Sequence, residues 1–107
     1  MIYLVNALSL NMVPPVGGTI VYRPIDRVDA AKLAVKAKHA IGHAETAALV
    51  GKDLFGLPLA ASRSTVQTDI GDKLIVAQYR GPRLPEGATT LPEGAKIEYF
   101  LVEILNF

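Results

Sequence analysis

The run Ile2-Tyr3-Leu4-Val5, followed by Asn6-Ala7-Leu8-Ser9-Leu10-Asn11, is the stretch whose reading decides the fold. A continuous apolar, partly β-branched run of this length suits a strand buried on both faces. Asn6, Ser9 and Asn11 then fall just past a strand end. Pro14, Pro15, Gly17 and Gly18 make a turn-rich loop, a candidate cover for a ligand. Beyond it, Thr19-Ile20-Val21-Tyr22-Arg23 reads as a second strand by its β-branched content.

Further along, Asp26 is placed to cap a helix beginning at Arg27, with Ile25 outside it. Val28, Ala31 and Val35 recur along the face expected to be buried, and Lys32 and Lys36 are expected to face water. Gly42 interrupts the helical pattern, and a second helix restarts near His43 with Ala47, Val50 and Leu54 spaced for burial. His43 therefore belongs to its first turn. After Gly56-Leu57-Pro58, the segments Arg63 to Thr68 and Lys73 to Tyr79 read as strands joined by Asp69-Ile70-Gly71-Asp72, a hairpin-like connection.

Ile97 to Leu105 supplies the last strand. Before it, Leu84-Pro85-Glu86-Gly87-Ala88 is echoed at Leu91-Pro92-Glu93-Gly94-Ala95, a duplication too short for a solenoid and read as two loop turns. About five strands and two helices predict an α+β (mixed α/β) architecture, a mixed sheet with helices packed against it. The length of 107 residues fits one domain over 1–107, and a hydrophobic fraction of 50% allows a sizeable core.

A formal net charge of +1 argues against sequence-independent binding of duplex nucleic acid, which relies on a strong basic field. An anionic ligand must be met by local groups. The absence of cysteine excludes disulfides, a thiolate nucleophile and thiolate metal sites. Neither a basic signal-peptide start nor an apolar run long enough for a bilayer is evident, so the expectation is a cytoplasmic protein without membrane contact.

His39 and His43 stand four apart, a spacing that would align two imidazoles on a continuous helix and that begins several zinc sites. Gly42 between them opposes a continuous helix, and neither the glutamate of a zinc-protease motif nor a cysteine completes the set. No metal and no cofactor are therefore expected, and His39 reads as a solvated helix-end residue. His43 is different. Gly42 lets backbone approach a ligand closely, and free N–H groups at a helix start can receive a phosphate oxygen beside the imidazole. A cap or packing role would account for the same residue.

Arg80 and Arg83 flank Gly81-Pro82, and Glu86 follows three positions after Arg83. That pattern fits either a solvated turn with a weak surface ion pair or a guanidinium bound to phosphate, with Glu86 orienting an arginine or a histidine.

Three segments, in order, resemble the motifs of a small viral and bacterial family long catalogued only as a domain of unknown function. Asn6-Ala7-Leu8-Ser9-Leu10-Asn11-Met12 resembles its Asn-Ala-Phe-Ser-Ile-Asn-Met opening. Ile41-Gly42-His43 with Thr46 resembles its Ile-Gly-His motif, and Arg83-Leu84-Pro85-Glu86-Gly87 its Arg-Leu-x-Glu-Gly motif. Leu8 stands where the family has an aromatic residue, and the helical segment usual before the last strand is shortened to Thr89–Ala95. Members are ring nucleases: viral versions act as anti-CRISPR proteins, and cellular versions accompany type III CRISPR systems. Their substrate is the second messenger cyclic tetra-adenylate.

The resemblance implies that His43 is the catalytic acid, with Arg83 and Glu86 beside it. It further implies that Asn6, Ser9, Asn11, Gly42, Thr46, Arg63 and Arg83 contact the cyclic nucleotide, Arg63 by matching an arginine that begins a strand. Also implied are a two-fold homodimer matching the two-fold axis of the ring, and closure of the Val13–Gly18 loop over the ligand. Cleavage needs no metal, because the 2′-hydroxyl beside each phosphate is the nucleophile and His43 protonates the departing 5′-oxygen. Two cuts give linear di-adenylates with 2′,3′-cyclic phosphate ends. The alternative is a non-catalytic binder of cyclic oligoadenylate or nucleic acid.

Overall fold

The apolar run at the start of the chain becomes β1 (Ile2–Val5), in which Leu4 and Val5 are both 1% exposed although they point to opposite faces. A computed structural model describes residues 1–107. β1 lies between two parallel neighbours, β4 (Lys73–Arg80) and the two-residue β3 (Lys38–His39). β5 (Lys96–Leu105) is antiparallel to β4, and β2 (Thr19–Ile25) is antiparallel to β5. The five strands stand in the order β2-β5-β4-β1-β3, so only β5 runs against the rest. β2 is an edge strand, which is where Pro24, lacking an N–H, is tolerated.

Period-two alternation divides the core between the two faces. Leu4, Ile75, Ala77 and Tyr99 pack against Ala30 and Ala34 of helix α1 (Arg27–Ala34) and Ala47, Val50 and Leu54 of helix α2 (Ala44–Phe55). Val5, Leu74, Val76, Val102 and Ile104 form the opposite face, covered by loops through Val66, Met12 and Val13. Part of that second face stays open: Ala7, Leu8, Tyr22, Val76, Phe100 and Val102 line an apolar cavity of about 350 Å³. No helix is long and apolar enough to cross a membrane.

The mixed α/β architecture and its five-stranded mixed sheet with two helices agree with the expectation, whereas three local readings are corrected. Arg63 to Thr68 is not a strand: it pairs with no neighbour along its length and is tied instead at its end, where the Thr68 N–H and hydroxyl both donate to Met12 O at 2.7 Å. The burial of Val66 and Thr68 gave this segment its strand-like pattern while it serves as a lid over the second face. The face of α1 is also different. Val28 and Val35 are exposed, and Ala30 and Ala34 are buried, because small side chains let α1 sit close to α2 and the sheet.

Lastly, the Val13–Gly18 loop does not lie over His43. β2 runs parallel to β1, so the chain must cross from the carboxyl end of β1 to the opposite edge before starting β2. The loop therefore lies beside Thr19, Ile20 and Ile104, at the far edge of the sheet. The duplicated pentapeptide forms two alike turns, closed by Ala88 N–H to Pro85 O at 3.1 Å and Ala95 N–H to Pro92 O at 3.0 Å. Gly87 (φ 73°) and Gly94 (φ 79°) supply the positive φ at the third position that a type II turn requires.

Helix α2 is clamped along its length. Asp26 caps α1 through a 2.7 Å bond from Asp29 N–H, and Arg27 donates to Asp53 O at 3.3 Å, joining the two helices. The Asp53 carboxylate in turn accepts from the Tyr99 hydroxyl of β5 at 2.5 Å. Burial, reinforced by the bond to Asp53 and its charge, pushes the Tyr99 hydroxyl far above its ordinary range, so it remains a donor at any physiological pH.

Gly51 makes the closest approach, since a Cβ there would come within 2.4 Å of Leu59 N and 2.6 Å of Leu57 O. Helix propensity favours alanine at this position by about 1 kcal/mol, but the backbone it meets cannot rotate away. Gly51→Ala is expected to destabilise the protein by about 1–3 kcal/mol, measured by urea denaturation.

Candidate functional site

β1, β3 and β4 are parallel neighbours, so the chain leaves all three at the same sheet edge. In open α/β sheets the crevice outside the carboxyl ends of the strands is where ligands are held. Asn6 follows β1, His43 follows β3 after a short link, and Arg83 follows β4. Gln78 and Tyr79 come from the carboxyl end of β4 itself. Two adjoining polar cavities result. One, of about 400 Å³, is lined by Asn6, His43, Thr46, Gln78, Tyr79 and Arg83 among others. The second, of about 480 Å³, is lined by His43, Glu45, Arg83, Leu84, Pro85 and Glu86.

His43 is the N-cap of α2. Its backbone is extended (φ −84°, ψ 118°), its carbonyl accepts from Ala47 N–H at 2.9 Å, and its ring Nδ1 accepts from Thr46 N–H at 3.2 Å. The Thr46 hydroxyl is also 2.8 Å from Nδ1. With Nδ1 accepting, the neutral ring carries its proton on Nε2. A hydroxyl can donate or accept, so Thr46 Oγ1 can pair with Nδ1 whether or not that nitrogen is protonated. The imidazole is thus held through one nitrogen, and Nε2 is left for chemistry on a side chain that is 54% exposed.

Neighbouring backbone fixes this cap. Ala40 N–H bonds Leu4 O at 2.9 Å, Ile41 is fully buried, and Ser62 N–H bonds Ile41 O at 2.9 Å. Arg63 packs over Gly42, where a Cβ would lie 3.3 Å from Arg63 Cγ. On the other wall, the Tyr79 hydroxyl donates to Pro82 O at 2.6 Å and braces the turn that delivers Arg83. Arg80 is engaged in an ion pair with Glu98 across the β4–β5 ladder, whereas Arg83 has no ion-pair partner.

The expected residues are brought together unevenly. Asn6, His43, Thr46, Arg83 and Glu86 share the paired cavities, and Gly42 and Arg63 form the backing of His43. Ser9 and Asn11 do not join them: the Ser9 hydroxyl accepts from Asn11 N–H at 3.3 Å and caps the short 3₁₀ turn Leu10–Met12 on the crossing segment. Thr46, expected as a substrate contact, is 7% exposed and acts on His43.

His39 is not a solvated helix-end residue, because the helix stops before it and β3 begins. Its Nδ1 accepts from Ile41 N–H at 3.1 Å and its Nε2 donates to Ala60 O at 2.7 Å, so both nitrogens are occupied away from His43.

Glu86 lines the cavity with His43, and a second carboxylate there, Glu45, comes within ion-pair range of the imidazole. Glu45 Oε2 is 3.9 Å from His43 Nε2, and Glu45 Oε1 accepts from Gly87 N–H at 3.0 Å. The Gly87 hydrogen bond above all, together with the bond from its own N–H and the nearby His43, holds the Glu45 carboxyl below its usual 4.5. Sequence reading passed over Glu45 because an acidic residue in a first helical turn is ordinary helix chemistry. Gln78, whose match to the family's glutamine before the arginine the sequence leaves open, lines the cavity from the carboxyl end of β4.

A mixed α/β domain with a helix-capping histidine and a free arginine at the carboxyl ends of parallel strands is the class these features define. The STIV B116-like family model matches residues 2–101, and the chain belongs to that family. Among solved structures, it is similar to B116 of Sulfolobus turreted icosahedral virus. The two share 28% identity and a TM-score of 0.77, over 95% of this chain and 97% of that one. A search of curated proteins found no match.

The capping geometry separates the two roles of His43. Asparagine is a good N-cap and has no imidazole, so His43→Asn is expected to keep the stability of the parent, while His43→Ala loses about 0.5–2 kcal/mol. Paired urea melts check this.

Proposed function

We propose that this protein is a metal-independent ring nuclease that cleaves cyclic tetra-adenylate to linear di-adenylates with 2′,3′-cyclic phosphate ends, and so switches off type III CRISPR signalling. The observation that carries the reading is the position of His43: its Nδ1 caps α2, and the same residue lines both polar cavities with Asn6, Arg83 and Glu86. The order of the three sequence motifs is its second support.

In this mechanism a ribose 2′-oxygen attacks the adjacent phosphorus, a 2′-O–P bond forms and the P–O5′ bond breaks. His43 acts as the imidazolium, with Nδ1–H turned to Thr46 Oγ1; its Nε2 proton goes to the departing 5′-oxygen, and the 2′-hydroxyl proton leaves to solvent. Arg83 and the positive end of α2 meet the phosphate charge. Proton transfer from a positioned histidine supplies a typical ~10² to 10⁴-fold, and alignment and charge stabilisation supply more.

The ring has a two-fold axis, so a two-fold pair of chains presents one His43 to each of two opposed phosphates. The open apolar patch around Leu8, Tyr22 and Phe100 gives such a pair apolar surface to bury. In solution the protein is then a dimer of cytoplasmic origin, acting in a host cell if it is viral.

Incubation with cyclic tetra-adenylate in excess chelator is expected to yield linear di-adenylate, identified by chromatography and mass spectrometry. His43→Asn, with its cap intact, is expected to bind the ring and leave it uncut. Full activity in that variant, or binding without any product in the parent, rejects the reading; the second result identifies a non-catalytic binder. Sedimentation velocity is expected to give twice the mass of one chain.

A further inference from the structure

Glu45 is not among the residues that the motifs select, yet it is the group that joins the two walls of the cavity. It belongs to the first turn of α2, two residues after His43, and its side chain is only 18% exposed. One carboxylate oxygen accepts from the backbone of Gly87 at 3.0 Å, and the other is 3.9 Å from His43 Nε2. Gly87 is at the third position of the Pro85–Ala88 turn, immediately after Glu86 and four residues after Arg83.

That turn is part of the long excursion between β4 and β5, from Gly81 to Ala95. On the β4 side it is braced by the bond from the Tyr79 hydroxyl to Pro82 O. Toward the helix, the side-chain bonds are Glu45 to Gly87 and Lys52 Nζ to Thr89 O at 2.7 Å. Arg83 and Glu86 therefore stand on a span fixed at Pro82 and at Gly87.

We propose that Glu45 is a positioning residue that latches the Arg83–Ala88 turn to the start of α2, setting Arg83 and Glu86 against His43 before substrate arrives. The inference rests on the reading of the His43 cavity as the reaction site, and assigns to that site a residue outside its motifs. Glu45 acts through the turn and not on the reacting atoms. Fixing in advance the backbone turn that carries Arg83 and Glu86 lowers the ordering cost of binding, so the effect belongs mainly in KM.

The latch also has a defined pH response. The charged and titratable groups facing Glu45 across the cavity are His43, Arg83 and Glu86. The Glu45 carboxyl is held below its ordinary 4.5 by the Gly87 bond first of all. A depressed carboxyl contributes fully above its unfolded value and is lost as pH falls through its folded value. The latch is thus at full strength at neutral pH and weakened only in acid below pH 4.5, where the protonated carboxyl keeps a neutral acceptor oxygen for Gly87 N–H, as glutamine does.

Two variants and two measurements test it. Glu45→Gln keeps an acceptor oxygen for Gly87 N–H, and Glu45→Ala removes it; alanine is the best helix former, so the fold is not at risk. Amide hydrogen exchange at Gly87, without substrate, is expected to be at least tenfold faster in Glu45→Ala than in the parent and close to the parent in Glu45→Gln. With cyclic tetra-adenylate, Glu45→Ala is expected to raise KM by roughly tenfold with kcat within about threefold, and glutamine to restore KM. Equal Gly87 exchange in the parent and Glu45→Ala, failure of glutamine to restore protection, or a fall in kcat at unchanged KM overturns the proposal. The exchange measurement stands whether or not the ring is cut, so a protein inactive on cyclic tetra-adenylate but with Gly87 protected by Glu45 refutes the nuclease reading and leaves the latch intact.

Discussion

The contact on which the site depends is a single acceptor atom, Nδ1 of His43, satisfying the Thr46 N–H at the start of α2. A helix leaves its first N–H groups without intrahelical partners, and a cap must supply an acceptor. Serine, threonine or aspartate does this with a side chain too short to present a second group far from the cap. Histidine has a second nitrogen on the far side of a rigid ring. Capping through Nδ1 fixes the ring plane and leaves Nε2 outside the cap, so one residue both starts the helix and presents a ring nitrogen to the cavity. The neighbouring Thr46 hydroxyl adds that Nδ1 keeps a partner in either protonation state.

What holds the capped histidine opposite an arginine is topology. Parallel pairing of β1 with both β3 and β4 ends three strands at one sheet edge, and each contributes to the cavity through the residues that follow it. β1 makes this possible because it is apolar on both sides: Leu4 faces the helices and Val5 faces the loop-covered side. The same parallel arrangement sends residues 7–18 across the sheet to reach the start of β2, which removes the proline-glycine loop from His43 and carries Ser9 and Asn11 partway with it. One constraint thus determines which polar residues after β1 remain at the site and which leave it.

The sequence was legible where a pattern had one physical cause. The double-sided burial of β1, the helix restart at His43, the burial of Ala47, Val50 and Leu54, and the twin turns at Gly87 and Gly94 all follow from local rules, and each is found. It was misleading where two causes give the same pattern. Val66 and Thr68 alternate with polar residues as a strand would, yet they are buried under hydrogen bonds to a loop. Val28 and Val35 suggested a buried stripe that alanines occupy instead, because the closeness of α1 to α2 is a tertiary fact. In the site, residues carried by motifs were visible and residues carried by packing were not. Glu45 becomes noticeable only when the turn after β4 is seen folded back on α2.

Glu45 also resolves an electrostatic conflict at the site. The positive end of a helix favours an acidic residue in its first turn, and the same end is where a phosphate would bind, so the two anions compete. In a chain whose net charge is only +1, no surrounding excess of cations settles that competition. The geometry does so locally. The bond from Gly87 N–H engages one Glu45 oxygen while the other faces the His43 ring, and Arg83, unlike Arg80, is not neutralised by a carboxylate of its own. The helix keeps its acidic first turn, and the cavity keeps a guanidinium with no carboxylate paired to it.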